Sequence, residues 1–279
     1  MRNTALLAAI ILCTAIPGDC LPETARASQH VTLQTKFIPD RLGKATTIEF
    51  GFRISSVTPG RVPSPVTEVN LDLPAGMGLA TSTLGLAQCE PSILLEQGPS
   101  GCPANSRVGT GTARAELSSE GEILTETAVV QALLGPPVSE TEQVLFYAEA
   151  YTPVSAQLVF PGLVLPAPSA RYSGSLDTAI PLIPTWDGGP DIAVTSFSSS
   201  LGPLGLTYYR HVRGKLVPYT PKGIAVPAKC PHGGFPFRAD FTFLDSTRAS
   251  ATSAVPCPRK AIAFASAKQP RAAAPGTEL

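Results

Sequence analysis

Apolar and polar residues alternate with a period of two along most of this chain. Val31, Leu33, Thr35 and Phe37 fall on one side of a run whose other side is Thr32, Gln34 and Lys36, the pattern of a strand with one buried face. Ile48, Phe50, Phe52 and Ile54 repeat it, as do Val69, Leu71 and Leu73. Pro59, Pro63 and Pro65 separate the second run from the third, so that connection is expected to be an extended loop and not a tight hairpin. Further strands are expected over residues 107–117, 122–134, 143–151, 154–165, 170–182, 191–200 and 205–219, and again at Phe235, Phe237, Ala239, Phe241 and Phe243. Gly135-Pro136-Pro137, Pro166-Ala167-Pro168 and Gly188-Gly189-Pro190 punctuate them at the spacing of a sandwich or barrel. One interruption is helical. Pro91 near a first helical position, Ser92 to Glu96, and Gly98 just past the end follow the Pro-first, Gly-last asymmetry of helices, which predicts a short helix over 91–97.

The first 27 residues read differently. Arg2, an apolar run from Ala5 to Ile16, Pro17-Gly18 and a small-residue exit at Ala25-Arg26-Ala27 have the three-part layout of a secretory signal peptide. Its apolar core is too short for a retained transmembrane segment. The mature chain is expected to begin near Ser28, in a secreted, extracellular setting with association to the wall as a variant of it. Cleavage would remove Cys13 and Cys20 and leave Cys89, Cys102, Cys230 and Cys257, an even number in an oxidising compartment. Local pairing is expected among the three connectivities. A Cys89–Cys102 bridge would staple the short helix, worth about 3 kcal/mol, and a Cys230–Cys257 bridge would enclose the last alternating strand, worth about 3 to 4 kcal/mol. None of these cysteines forms a C-x-x-C pair, so a zinc site is not expected.

Composition narrows the partners. Lys and Arg total 21, equal to Asp and Glu, and a neutral chain lacks the basic excess of a nucleic-acid-binding protein. Pro at 29 of 279 residues excludes long helices, while 43% apolar content is too high for a disordered chain. The expected fold is an all-β sandwich, immunoglobulin-like or jelly-roll-like, as two domains in series. Residues 28–120 would carry the Cys89–Cys102 staple and residues 121–258 the Cys230–Cys257 staple. The boundary is placed at the polar turn Ser118-Ser119-Glu120-Gly121, and residues 259–279 form a low-complexity tail.

Leu73-Pro74-Ala75-Gly76-Met77-Gly78-Leu79, then Leu86-Ala87-Gln88-Cys89, then Gly101-Cys102-Pro103-Ala104-Asn105-Ser106-Arg107-Val108-Gly109-Thr110 form one segment. It resembles secreted β-rich proteins of high-GC Gram-positive bacteria, which carry LPxGL, a Cys and then CPxxSxVGT. Ile180-Pro181-Leu182-Ile183-Pro184 is similar to a further stretch of theirs. The resemblance spans roughly residues 70 to 205. It implies an exported β-rich protein and brings no activity, cofactor or catalytic residue with it.

Catalytic motifs are missing from the sequence: there is no G-x-S-x-G elbow, no S-x-x-K and no H-E-x-x-H. Two groups are candidates for ligand contact. Asp187 and Asp191 bracket Gly188-Gly189-Pro190 beside Trp186, the sole tryptophan, where a sugar ring could stack on the indole and the acids bind its hydroxyls; the same residues also make an ordinary Asp-flanked turn. Tyr209, His211 and Arg213 would share one face of a strand in the basic aromatic stretch Tyr208 to Lys215, a ledge for an acidic ligand or simply a charged sheet edge. The expectation is a secreted noncatalytic binding module for a wall glycan or another extracellular protein, without cofactor or metal and not an enzyme. The alternatives are a hydrolase built on Asp187, Asp191 and His211, and a structural envelope component.

Overall fold

The structure, a computed structural model, describes residues 29–79, 86–152, 155–166, 169–183, 189, 191–221 and 223–258. The expected signal peptide and the expected tail beyond residue 258 lie outside them. The chain enters with β1 (Gln29–Ile38), β2 (Ala45–Ser56), β3 (Val66–Pro74) and the two-residue β4 (Gly78–Leu79). Helix α1 (Pro91–Gln97) follows, then β5 (Arg107–Ser119), β6 (Glu122–Val138), β7 (Thr141–Ala150), β8 (Ala156–Pro166) and β9 (Tyr172–Ala179). After β10 (Ala193–Leu201) come β11 (Tyr208–Val212), β12 (Lys215–Tyr219), the short β13 (Ile224–Ala225), β14 (Phe235–Phe243) and β15 (Arg248–Val255).

The strands form a near-closed barrel. Its hydrogen-bonded order runs β15, β14, β3, β9, β8, β7, β6, β5, β10, β2, with β1 beyond β2 and the short β13 and β4 extending from the start of β2. Every pairing is antiparallel. β1 lies against β15, where Thr35 Oγ1 donates to Ser253 Oγ at 2.9 Å.

The all-β class and the helix over 91–97 match the expectation from sequence. No clear division into two sandwiches falls at residue 120. That turn is the tip of the β5–β6 hairpin, with Glu120 and Gly121 both at positive φ. Strands from either side of it pair with each other: β2 with β10, and β3 with both β9 and β14. One core therefore serves both halves. The stretch expected as a single strand over 205–219 is instead the separate two-stranded ribbon β11–β12. Arg213 (φ 49°) and Gly214 (φ 76°) reverse the chain there, consecutive left-handed residues of the kind a tight hairpin needs. β15 was not evident in sequence, because its inward residues Ala249, Ala251 and Ser253 are small and only Val255 is bulky.

Alternation sets inside and outside. Phe37, Ile48, Phe50, Phe52, Val69, Leu71, Phe237 and Phe241 are buried in one cluster, while their neighbours Lys36, Glu49, Arg53, Asp72 and Arg238 face out. This apolar-in, polar-out arrangement is the reverse of a membrane-spanning barrel, whose outer band is apolar. A small second cluster lies on the outer face of β6 and β7, where Leu133, Leu145 and Tyr147 pack beneath Leu94 of α1. The Cys89–Cys102 disulfide (Cα–Cα 5.2 Å) holds the helix segment in place, and Cys89 N–H donates to the Leu134 carbonyl at 2.8 Å. Gly98 ends the helix at φ 65°, where a Cβ would also press on the Tyr147 hydroxyl at 3.4 Å. Cys230 and Cys257 form the second bridge, Cα–Cα 5.8 Å, so the pairing is local, as expected.

Candidate functional site: an apolar lumen

Inward positions differ in size around the barrel. β1, β2 and β14 send in Phe37, Phe50, Phe52, Phe235, Phe237, Phe241 and Phe243, whose rings contact one another at centroid distances of 5.1 to 6.5 Å where they meet. β5, β6 and β7 send in Ala113, Ala115, Ala128 and Ala148 beside Val130, with Phe146 of β7 as their one aromatic. A methyl group cannot cross to the opposite wall, so this side of the interior is left hollow.

The hollow consists of two neighbouring chambers. The upper, about 180 Å³, is lined by Ile48, Leu73, Val108, Leu134, Val144 and Leu201. The lower, about 100 Å³, is lined by Phe52, Val130, Phe146, Leu158 and Phe160 together with the four alanines. Phe50, Leu71 and Leu176 line both and form the waist between them. Polar groups are few and peripheral: Glu142 and Tyr208 at the upper chamber, Thr178 at the lower. An apolar space of this order accepts apolar guests.

The upper chamber is roofed by the segment after β10. Pro203, Tyr208, Pro221 and Gly223 of this segment line the chamber, Tyr208 being the first residue of the β11–β12 ribbon. Both feet are fastened. Gly202 N–H donates to the Val108 carbonyl at 2.8 Å, Leu204 N–H to Thr47 Oγ1 at 2.8 Å, and Val226 N–H to the Lys44 carbonyl at 3.0 Å. Asn105 clamps the ribbon itself. Its amide donates to the Tyr209 carbonyl at 2.6 Å, and its Oδ1 accepts from Tyr209 N–H at 3.0 Å. Tyr208 is 2% exposed and its hydroxyl donates to the Arg107 carbonyl at 2.9 Å. Burial pushes its phenol up to about 12, so it stays a neutral donor at ordinary pH.

The residues singled out from sequence are dispersed. Trp186 and Asp187 lie outside the described residues. Asp191 precedes β10, while His211 stands on the ribbon that follows it. The strand between them spans roughly 27 Å at the usual rise, so the structure does not bring Asp191 and His211 into one site. Tyr209 and His211 do share a face of β11, opposite Pro218 and Leu216, but Arg213 belongs to the turn and not to that ledge. Among the described residues no group of three His, Cys, Asp or Glu is placed to hold a metal ion, and no helix is long and apolar enough to cross a membrane. No protein-family model, curated protein or solved structure matches the chain.

Sequence reasoning missed the lumen. Its signal was present chiefly in β5 and β6, whose inward-facing register carries Ala113, Ala115, Ala128 and Ala132 where the corresponding registers of β2 and β14 carry Phe, and at Ala148 beside Phe146 on β7. That contrast becomes visible only when the inward register is compared between strands.

Proposed function

We propose that this chain is an exported, noncatalytic binding protein whose ligand is an apolar small molecule, of the class of an acyl or isoprenoid chain, held in the barrel lumen. The observation that carries this reading is the pair of adjacent chambers, apolar on nearly all sides and, in the lower one, walled by alanines where larger side chains would have closed it. A core serving only stability is packed close to crystal density, whereas this interior keeps open space against Phe50 and Phe52. Thr178 is the one polar side chain lining the lower chamber, whose other walls offer dispersion contact and exclusion of water. Two disulfides suit an oxidising compartment, in keeping with the export suggested by residues 1–27. The ligand inferred here is apolar, in place of the sugar that Trp186 suggested and the acidic ligand that Tyr209 suggested.

The test is titration of the purified protein with cis-parinaric acid, a fluorescent acyl chain, in vesicle-free and detergent-free buffer. Saturable binding at about one equivalent is expected. Ala113→Leu combined with Ala148→Leu is expected to weaken it about tenfold or more while the unfolding transition stays cooperative. Absence of binding by the folded wild-type protein, or equal binding by the filled variant, would overturn the proposal.

A further inference from the structure

We infer that the β11–β12 ribbon docks the barrel onto an anionic phospholipid surface, turning the roofed end of the lumen toward the source of its ligand. The inference rests on the reading of the lumen as a hydrophobic-ligand site and adds where that ligand is exchanged. The ribbon forms no strand pairing with the barrel sheet, and from Tyr209 to Pro218 every residue is exposed. It is nevertheless apolar: Leu216 is 59% exposed, Val212 42%, Tyr209 41% and Val217 36%. Leu216 lies beside His211 on one face, and Val217 beside Arg210 on the other. Both faces of the ribbon thus present apolar side chains to the solvent, which a two-stranded element gains nothing from in water.

Charge selects the occupant. Arg210, His211, Arg213 and Lys215 are interleaved with these apolar residues, and from Ile192 to Ala239 the chain carries six Lys and Arg and no Asp or Glu. Arg41, Lys44, Arg171 and Lys229 come from loops at the same end of the barrel, where Asp40, Glu140 and Glu142 supply the opposing charge. The far end, by contrast, carries Glu116, Glu120, Glu122, Glu149, Asp191 and Asp245 against Arg61, Arg114 and Arg248. A protruding element with apolar tips among cations fits the interface of an anionic bilayer, where the tips enter the acyl boundary and the cations meet the headgroups. A purely anionic polymer would use the cations and leave Leu216 and Val217 in water.

The experiment is co-sedimentation of the mature protein with vesicles of phosphatidylcholine alone or mixed with phosphatidylglycerol. Binding to the mixed vesicles and not to the neutral ones is expected, declining as salt screens the surface. Arg210→Ala with Lys215→Ala should weaken it about 30-fold, at about fivefold per cation. Leu216→Asp should abolish it, while both variants keep wild-type binding of cis-parinaric acid in vesicle-free buffer. Overturning results are no binding to either vesicle, equal binding to both, loss with the charge variants but not with Leu216→Asp (a polyanion-type contact), or self-association through the ribbon in place of vesicle binding. The vesicle-free titration separates failure of the docking surface from failure of the lumen.

Discussion

The two sides of the barrel obey one alternation rule and reach different interiors. On the side of β1, β2 and β14, inward positions are filled by seven phenylalanines, with Phe235 and Phe237 fully buried and Phe37 edged against both. On the side of β5, β6 and β7 the same register brings in four alanines, and space remains. Period-two patterning fixes which residues face in. The volume of those residues decides whether the interior is a core or a container.

The contrast can be tested by changing size on each side. The largest effect is expected from Phe237→Ala, which removes a fully enclosed ring: a loss of about 3 to 5 kcal/mol in chemical unfolding. A loss under about 1 kcal/mol would mean that the filled side is loosely packed, and the comparison would fail. Ala113→Leu adds bulk on the hollow side, and an ordinary core would lose about 1 to 3 kcal/mol through overpacking. Here the expected outcome is no loss, or a gain of about 0.5 to 2 kcal/mol as in other cavity-filling substitutions. A cost typical of overpacking would show that the alanine wall is already in contact with its opposite side.

The smallest effect concerns the outer surface of the filled side. Asp72 stands opposite Arg238 on the neighbouring strand, and burial together with nearby Asp240 raises its carboxyl above the usual range despite the arginine. A raised native pKa means that the folded state takes up its proton before the unfolded state does, so this group costs stability at neutral pH and the cost fades as pH falls through the native value. Asp72→Asn should therefore raise the melting temperature slightly at pH 7, and the difference should shrink on acidification toward about pH 4. A difference that grows on acidification would reverse the sign assigned to this site.

Much of the strand pattern could be read from the sequence because large apolar residues mark the inward register of β1, β2, β3 and β14. The helix was legible from Pro91 and Gly98, and the disulfides from the separation of the four cysteines. The strand order was not, since it depends on pairings such as β3 with β14, 175 residues apart in the bond from Thr67 Oγ1 to the Thr242 carbonyl. β15 was invisible because Ala and Ser carry little strand signal. The candidate site was the least legible part. A cavity is made of the atoms that residues lack, and Ala113 or Ala148 alone says nothing about what stands opposite.

The path from β1 around to β15 contains eleven strands joined by antiparallel pairings, so the first and the last must point the same way. Gln29 Nε2 accordingly donates to Asp245 Oδ2 at 3.1 Å at one end of that seam, and Thr35 meets Ser253 farther along it. A chain delivered from its N-terminus offers β1 early, but the strand that completes the ring is the last to arrive. The circle can shut only after synthesis or translocation has released residue 255, so the vessel is sealed at the end of its own making.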